Sequence, residues 1–398
     1  MAAEKNNKTL NVPNLRFPEF SGEWEKAILL DVCEINPKTP SLDEEFVYID
    51  LESVEKGEIL HENVISRDDA PSRAQRVLKF NDILFQCVRP YQKNNLLFAR
   101  DTHTIQYVAS TGYAQIRTDK QNPAFLYQLL NTQKFIDQVM LRCTGTSYPA
   151  INTNDLSKIA IRYPLQIEEQ NKIAKLLSLL DGRIKTQKKV IEKYESLIRG
   201  LITDVNSGRI AQCESICLRD LLAGQHEKNT NNYEVCSVSV SQGVINQIDY
   251  LGRSFAAKEV FHYNVVNYGD IVYTKSPTGE FPYGIVKRSD ITKPVAVSPL
   301  YGVYRPINDY VGRYLHLYFK SPINAKNYLH KLIQKGAKNT INITNQHFLD
   351  NKILIPEKGW LEKIVNFAAA LEMKIATENK VLQTLQQQKD YLLSKMFI

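Results

Sequence analysis

Four polar segments contain the side chains best suited to chemical recognition in this sequence. Residues 89–95 and 142–148 lie in the first half of the chain, and residues 275–280 and 335–340 lie in the second half. Arginine can form two hydrogen bonds to guanine, and glutamine or asparagine can do so to adenine, whereas small hydroxyl residues and glycine let the backbone approach a phosphate. With nearby basic and aromatic residues, the candidate DNA-binding residues are Arg73, Arg76, Arg89, Tyr91, Gln92, Lys93, Asn94, Asn95, Arg142, Thr144, Gly145, Thr146, Ser147, Tyr148, Lys275, Ser276, Thr278, Gly279, Glu280, Tyr283, Lys335, Lys338, Asn339 and Thr340.

Motifs for catalysis or cofactor binding are missing from the sequence. It contains no GxxxxGK[S/T] phosphate loop, no GxGxxG loop after a strand and no GxSxG elbow. The adenine methyltransferase signature, Asn/Asp-Pro-Pro-aromatic, is not present either, and its nearest match, Asn36-Pro37-Lys38, is typical of a turn. The triplet Glu372-Met373-Lys374 falls within a helical heptad pattern, where charged residues face solvent. We therefore predict no catalytic residue and no bound cofactor on this chain.

The six cysteines also argue against a metal site. They form no CxxC pair and have no His-rich partner segment. In a chain of this size such residues are typical of free thiols that are mostly buried. We predict free thiols and no metal ligands at Cys33, Cys87, Cys143, Cys213, Cys217 and Cys236.

The distribution of charge is more informative than the net charge of +7. Residues 19–69 contain 4 Lys and Arg against 15 Asp and Glu, a net charge of −11. Residues 70–165 contain 12 against 5, a net of +7, and residues 206–357 contain 17 against 12, a net of +5. The two basic regions indicate either solvated surface or two faces for a polyanion. No apolar run is long enough to span a bilayer, and the polar N-terminus is unlike a secretory signal, so a cytoplasmic location is expected.

The two halves of the chain are related by an internal repeat with a period near 190 residues. Residues 80–85 (FNDILF) match residues 268–273 (YGDIVY), and both predict a tight turn that enters a strand. Residues 161–164 (IRYP) match residues 353–356 (ILIP), and both predict a short strand stopped by proline.

Each of the four polar segments alone is also typical of an ordinary turn. Their recurrence at the same place in both halves favours the nucleic-acid interpretation.

A long heptad pattern follows each matched proline. Its apolar positions alternate by fours and threes, which favours a coiled coil of about 40 residues and about 60 Å over an isolated amphipathic helix. The first series is Ile173, Leu177, Leu180, Ile184, Gln187, Ile191, Tyr194, Ile198, Leu201 and Val205. The second series is Ile364, Ala368, Leu371, Ile375, Glu378, Leu382, Leu385, Lys389, Leu392 and Met396.

Each half is therefore predicted to be a mixed α/β domain of about 150 residues followed by a long helix. Residues 46–49 and 107–109 predict strands, and residues 123–130 and 313–319 predict helices. The same framework carries different loops in the two halves. Two such domains would read two different short DNA sequences, and the helices would set the distance between them.

Three further segments of the sequence are distinctive: residues 13–24 (PNLRFPEFSGEW), residues 164–174 (PLQIEEQNKIA) and the end of the second heptad helix, residues 392–397 (LLSKMF). With these segments, the sequence resembles the specificity subunit of type I restriction-modification systems over essentially its whole length. Thr144-Gly145-Thr146, followed by Ile151, also resembles the family pattern. The second half departs from it, since residues 357–360 (EKGW) lack the QIEEQ run; the two helix starts are therefore not expected to contact partners identically.

The resemblance implies an α+β fold with two tandem, pseudo-symmetric mixed α/β target-recognition domains, separated by two long helices that form an antiparallel coiled coil. We place the first target-recognition domain at residues 1–164, the central helix at 165–208, the second domain at 209–356 and the C-terminal helix at 357–398. The family reads a bipartite, asymmetric double-stranded DNA target. Two modification subunits bring S-adenosylmethionine and methylate adenine N6, and two restriction subunits use ATP and Mg²⁺. The chain itself would hold no cofactor.

Three other functions fit parts of the sequence. The chain could be a stand-alone DNA-binding or architectural protein without enzyme partners. It could be an enzyme with an unfamiliar site, or a coiled-coil interaction protein whose globular halves bind protein. Binding that ignores DNA sequence and salt concentration would favour the last of these.

The polar positions of the two heptad series predict a specific contact. Gln187 and Glu378 are equivalent and lie near the middle of their helices, so antiparallel packing with matched ends would bring them together, although each could instead reach solvent. If they meet, replacing both with leucine raises the melting temperature and loosens helix orientation or oligomeric state. Sedimentation and thermal melting measure both properties. An unchanged orientation and oligomeric state in the double variant would contradict the contact.

Overall fold

The structure, a computed structural model, describes residues 11–253, 259–335 and 341–398. The chain divides into two units. Unit 1 comprises Met1–Lys188 together with Lys380–Ile398, and unit 2 comprises Lys189–Asn379. Each unit therefore contains one mixed α/β body and a part of each long helix.

Unit 1 is built on two four-stranded sheets. Its strands are β1 (Glu25–Ile28), β2 (Glu34–Ile35), β3 (Glu45–Ile49), β4 (Val54–Glu55), β5 (Glu58–Ile59), β6 (Asn63–Ser66), β7 (Ala74–Val77), β8 (Ile83–Gln86), β9 (Leu96–Leu97), β10 (Gln106–Ser110), β11 (Tyr113–Arg117) and β12 (Ala160–Tyr163). The sheets have the orders β6-β3-β10-β7 and β2-β11-β8-β9, and β1 pairs with β12. The predicted strands at residues 46–49 and 107–109 are confirmed as parts of β3 and β10, which pair in parallel.

The helices of unit 1 pack on the second sheet. They are α1 (Leu29–Val32), α2 (Pro123–Leu130), α3 (Gln133–Met140), α4 (Thr153–Ser157) and the first part of α5 (Ile167–Asn206). Helix α2 has the predicted bounds because Asn122 accepts a hydrogen bond from Phe125 N and a proline occupies its first turn. Buried side chains of α2, α3 and β8 form the main core of the unit, together with Trp24 and Phe397.

Unit 2 repeats much of this plan. Its strands are β13 (Cys213–Cys217), β14 (Leu222–Gly224), β15 (Cys236–Ser239), β16 (Gly243–Asn246), β17 (Asn264–Val266), β18 (Ile271–Tyr273), β19 (Val286–Arg288), β20 (Val295–Val297), β21 (Gly302–Pro306), β22 (Gln334–Lys335), β23 (Ile341–Asn342) and β24 (Lys352–Pro356). The order β14-β21-β18-β19 corresponds to β2-β11-β8-β9, and the pair β13-β24 corresponds to β1-β12. The internal repeat is thus a repeat of one sheet and its flanking pair.

The helices of unit 2 occur in a similar order along the chain. They are α6 (Gln247–Leu251), α7 (Asp309–Phe319), α8 (Pro322–His330) and, after the matched proline, α9 (Lys358–Met396). The predicted helix at residues 313–319 is confirmed, but α7 begins four residues earlier because Asn308 accepts a hydrogen bond from Val311 N and caps it.

The matched turns before β8 and β18 have the same hydrogen bonds. Asn81 and Gly269 adopt left-handed backbone conformations with φ of 71° and 88°, which asparagine and glycine tolerate best. The following Asp82 and Asp270 are buried, and each accepts a hydrogen bond from the backbone three residues earlier. The sequence match between residues 80–85 and 268–273 therefore marks a shared turn and strand.

Each buried aspartate also pairs with an arginine on the neighbouring strand. Arg117 donates two hydrogen bonds of 2.7 Å to Asp82, and this contact raises the pKa of the arginine. Arg305 donates to Asp270 at 3.1 and 3.4 Å, with the same effect on its pKa. The ion pairs tie β8 to β11 and β18 to β21.

The predicted heptad faces are confirmed by burial. All ten positions of each predicted series are buried or half-buried. In unit 1, Leu177 packs in one core with Leu393, and Lys389 pairs with Asp181 at 2.6 Å. In unit 2, Ile202 packs with Ile364. The segments of the two long helices in unit 1 therefore run antiparallel, whereas the domain boundaries given above stay a prediction.

The start of α5 is fastened in a way that the start of α9 is not. Glu169 is fully buried and accepts hydrogen bonds from Arg16 at 2.7 and 2.8 Å and from Trp24 Nε1 at 3.2 Å. Residues 357–360, at the start of α9, are all exposed. The family-like segments 13–24 and 164–174 are thus joined by a buried carboxylate in unit 1.

The buried aspartates predict unequal losses of stability. Asp82→Asn leaves Arg117 without its carboxylate and should lower the free energy of unfolding by about 3 kcal/mol. The loss for Asp270→Asn should be smaller, since the Arg305 side chain is half exposed. Urea unfolding measures both. Glu234→Gln, which removes an exposed ion pair with Lys293, is the control and should cost less than about 1 kcal/mol. Equal losses for all three variants would contradict the assignment.

Candidate nucleic-acid interface

The candidate residues of unit 1 gather at one end of its sheets. Strand β8 ends where β11 begins, and Cys87 N donates a hydrogen bond of 3.0 Å to Gly112 O. Thr111 N donates one of 2.8 Å to Arg73 O, at the start of β7. Arg76 follows on β7, and Arg89 lies just beyond Cys87. The fold therefore brings the Arg73–Arg76 region and segment 89–95 to the same edge.

Segment 89–95 is a short, firmly held loop. Pro90–Gln92 forms a 3-10 turn between Arg89 and Lys93, which both have left-handed backbone conformations. Gln86, a buried residue of β8, donates from Nε2 to Gln92 Oε1 at 3.0 Å and accepts from Asn94 N at 3.1 Å. The loop is thus fixed from the interior by a glutamine that the sequence pattern did not single out.

Asn95 occupies a different place from that expected of a DNA-contacting residue. It is 1% exposed, accepts a hydrogen bond from Gln86 N at 2.8 Å and donates to Asn131 Oδ1 at 3.0 Å. Both the oxygen and the nitrogen of its amide are hydrogen-bonded inside the unit, because a buried polar side chain must find partners there. Asn95 is therefore a support of the loop and not part of the exposed surface.

Segment 142–148 lies against segment 89–95. It follows α3, and Thr144 and Ala150 exchange two backbone hydrogen bonds of 2.9 Å. Arg89 N donates a hydrogen bond of 2.7 Å to Pro149 O, and the Arg89 guanidinium carbon lies 4.2 Å from the centre of the Tyr148 ring. The two candidate segments of unit 1 consequently form one surface.

Two arginines of this surface have no carboxylate partner among the described residues. Arg89 is half-buried and makes no ion pair there. Arg76 is also half-buried, its buried Nε has no hydrogen-bond partner in that part of the chain, and burial lowers its pKa. Arg117 and Arg16, by contrast, pair with buried acids. Uncompensated guanidinium groups at a protein edge favour an anionic or acceptor-rich ligand.

The remaining candidates of unit 1 differ in exposure. Burial lowers the pKa of Lys93, which is half-buried, as is Asn94. Arg142 donates from Nη1 to Gln138 O at 2.7 Å and so extends the end of α3. The exposed candidates are Arg73, Tyr91, Gln92, Arg142, Thr144, Gly145, Thr146, Ser147 and Tyr148.

The corresponding loop of unit 2 leaves the end of β18. Lys275 is half-buried, and burial lowers its pKa, whereas Ser276, Thr278, Gly279 and Glu280 are exposed. Thr278 and Phe281 exchange two backbone hydrogen bonds of 2.9 and 3.1 Å. The buried Phe281 ring anchors the loop in the core of the unit.

The second candidate segment of unit 2 falls largely outside the described residues. Lys338, Asn339 and Thr340 lie there, and the side chain of Lys335 is likewise not described. Tyr283 is half-buried, and its ring lies 5.9 Å from that of His330, at the end of α8. The loop after β18 thus approaches the helix that leads into the second segment, as segment 89–95 approaches α3.

Within residues 11–253, 259–335 and 341–398, no group of His, Cys, Asp and Glu side chains is arranged to hold a metal ion. Across the same part of the chain, none of the helices combines the length and apolar character needed to cross a bilayer. All six cysteines are free thiols, and three of them are buried.

The sequence is similar to one family model over part of its length and to two curated proteins. Residues 21–195 match the family model of the type I restriction modification DNA specificity domain. The HindI specificity subunit of Haemophilus influenzae is 26% identical over 160 residues, covering 39% of this chain and 34% of that protein. The MjaVIII specificity subunit of Methanocaldococcus jannaschii is 27% identical over 203 residues, covering 48% and 47%. The chain thus spans between a third and a half of the length of these curated relatives.

Two solved structures share the fold over nearly the whole chain. The S subunit of a type I restriction-modification system from M. genitalium is 14% identical, with a TM-score of 0.57 over 97% of this chain and 99% of that one. A chain solved in work on the assembly and conformational transition of the type I R-M system is 18% identical, with a TM-score of 0.54 over 94% and 97%. The predicted fold class, two mixed α/β domains joined by long helices, is confirmed.

The glycine at the base of the unit 2 loop predicts a local effect on stability. Gly284 has φ of 97°, and a Cβ there would lie 1.9 Å from Thr274 O, so Gly284→Ala should force the backbone apart. We expect a loss of more than about 2 kcal/mol. Gly279→Ala is the matched control: φ is 50° but the space is open, so about 1 kcal/mol is expected. Thermal melting compares them, and similar losses would refute the clash.

Proposed function

We propose that the chain is a specificity subunit of a type I restriction-modification system, and that it reads a bipartite, asymmetric DNA target for partner enzymes. Each unit would read one half of the target. The chain would select the DNA sequence, and the catalytic steps would take place on other subunits.

One observation carries this proposal. The same strand, with the same buried aspartate at its entrance, ends in both units at a loop that lies near a second helix. The framework repeats, but segment 89–95 (RPYQKNN) and segment 275–280 (KSPTGE) differ in length and in the order and type of most side chains. A repeated scaffold with different exposed loops is suited to two ligands of one chemical class that differ in sequence.

The charge of the unit 1 surface agrees with DNA as that ligand. Arg76 and Arg89 lack acidic partners within the described residues, and exposed hydroxyl groups follow at residues 144–147. Arginine reads guanine and binds phosphate, and small hydroxyl residues bind phosphate. The proposed substrate is cellular DNA, which also places the chain in the cytoplasm.

Partner subunits would provide catalysis. We propose two modification subunits that bring S-adenosylmethionine and methylate adenine N6 after flipping the base out, and two restriction subunits that use ATP and Mg²⁺. An apolar groove in unit 1 supports docking of a further helix: it encloses about 780 Å³ and is lined by Leu176, Leu179, Tyr391 and Leu392 among others. Leu179 and Tyr391 are more than half exposed.

A stand-alone DNA-binding protein or a coiled-coil interaction protein is the alternative. The first would protect DNA without a methyltransferase subunit, and the second would bind regardless of DNA sequence and salt. Mapping N6-methyladenine across the genome with and without this gene separates the three. We expect a bipartite motif that disappears on deletion; an unchanged methylation pattern would refute the proposal.

Exchanging most of unit 2 tests whether each unit reads its own half of the DNA target. Replacing residues 210–355 with the equivalent region of another specificity subunit should change one half of the methylated motif and leave the other half and its bases intact. Methylation mapping of the chimera, beside the parent chain, gives the result. A change in both halves would show that the units do not read DNA independently.

A further inference from the structure

We propose that Arg89 reads a guanine in the half-site recognised by unit 1, and that Tyr148 is the residue that positions it. This inference rests on the proposed function and deepens it by assigning a base and two residues.

The backbone directs Arg89 out of the framework at a fixed point. Its φ of 54° is a left-handed conformation, uncommon for arginine, and the residue comes shortly after β8 ends at Gln86. Its N–H donates to Pro149 O at 2.7 Å, so the residue is bonded to the second loop as well as to the first. A strained backbone retained at a surface loop is typical of a functional position.

The guanidinium group is held but not neutralised. It lies over the Tyr148 ring, 4.2 Å from the ring centre, and has neither an ion pair nor a side-chain hydrogen bond among the described residues. A guanidinium has five N–H donors. Arg117, which also lies at a strand end, satisfies its donors on Asp82. The donors of Arg89 are therefore available for a ligand.

Tyr148 acts through Arg89. Tyr148 is 63% exposed, so it contributes little to the core, yet its ring provides the face on which the guanidinium rests. Thr144 and Ala150 close the loop that carries it, and Gly145 makes that closure possible: φ is 87°, and a Cβ there would lie 3.0 Å from Tyr148 O. Contact with an aromatic face restricts the rotamers of arginine and lowers the entropy lost on binding.

A base is favoured over a phosphate as the ligand. The planar fork of arginine matches the two acceptors, O6 and N7, that guanine alone presents side by side in the major groove. The neighbouring Gln92 is exposed and has its Oε1 bound by Gln86, which leaves its amide N–H groups as further donors near the same surface. An edge made of donors fits the acceptor edge of guanine better than the mixed edge of adenine.

The test uses the full chain in complex with its modification subunits and duplexes that contain the mapped motif. The half-site of unit 1 is the half that the exchange of residues 210–355 leaves unchanged. Each guanine of that half-site is replaced in turn by 7-deazaguanine, which lacks the N7 acceptor. Binding is measured for the parent chain, Arg89→Lys, Arg89→Gly, Tyr148→Leu and Tyr148→Phe. Arg89→Gly removes the side chain without straining the left-handed backbone. Arg100→Lys is the matched control, since Arg100 is exposed and paired with Glu62.

We expect the parent chain to lose about tenfold in affinity at one 7-deazaguanine position. Arg89→Lys should lose about tenfold on unmodified DNA and become insensitive to that substitution, because lysine keeps the charge but not the fork. Tyr148→Leu should lose about threefold to fivefold and show a reduced response, whereas Tyr148→Phe keeps the aromatic face and should stay within about twofold. Arg100→Lys should bind and respond like the parent chain.

Three results would overturn the inference. They are a unit 1 half-site without guanine, an Arg89→Lys variant that binds like the parent chain, and an Arg89 loss that is equal on all DNA sequences, which is the behaviour of a phosphate contact. Equal effects of Tyr148→Leu and Tyr148→Phe would remove the positioning role. Failure of the proposed function is distinguishable, since the parent complex would then show no sequence-specific binding at either half-site.

Discussion

A buried carboxylate at the entrance of one strand is the interaction on which each unit depends. Asp82 and Asp270 hold the preceding turn through its backbone and the neighbouring strand through an arginine. Since these bonds are made within the turn and the adjacent strand, they fix the direction of the strand without using any residue of the loop at its far end. Burying a charge is unfavourable unless it is paired and hydrogen-bonded, so the whole set must be kept together. This explains why the turn recurs in both halves while the loops do not.

At the far end of β8 in unit 1, charged groups are left unpaired among the described residues instead of being paired. There the cations Arg76 and Arg89 lack acidic partners in the described part of the chain, and buried amides replace buried carboxylates as the supports of the loop. Amide groups can hold a loop in place without cancelling the positive charge on its surface. The ion-paired turn and the proposed recognition surface thus lie at opposite ends of one strand, and a loop can change its outward side chains while its inward ones keep its shape.

The sequence predicts the periodic parts of this structure well. The heptad positions from Ile173 to Met396 are on the buried faces, and Pro164 and Pro356 stand at the ends of equivalent strands, because periodicity and proline geometry are local properties. The candidate recognition surface of unit 1, formed by segments 89–95 and 142–148, is harder to predict from the sequence. Nothing local distinguishes Asn95, whose amide is buried, from the neighbouring Gln92, which is exposed, because partners such as Asn131 come from distant segments. The stacking of Arg89 on Tyr148 likewise depends on how two loops meet.

Unit 1 is formed by two separate segments of the sequence, which has a consequence for folding during translation. Unit 1 needs residues 380–398, and all of unit 2 is translated before them. Phe397 packs against Trp24 and Phe125, and Leu15 N donates a hydrogen bond to Lys395 O, so the N-terminal segment docks on residues made nearly four hundred codons later. Unit 2 is continuous in sequence and can complete its contacts first. During translation, unit 1 therefore keeps part of its apolar surface uncovered until residues 380–398 have been made.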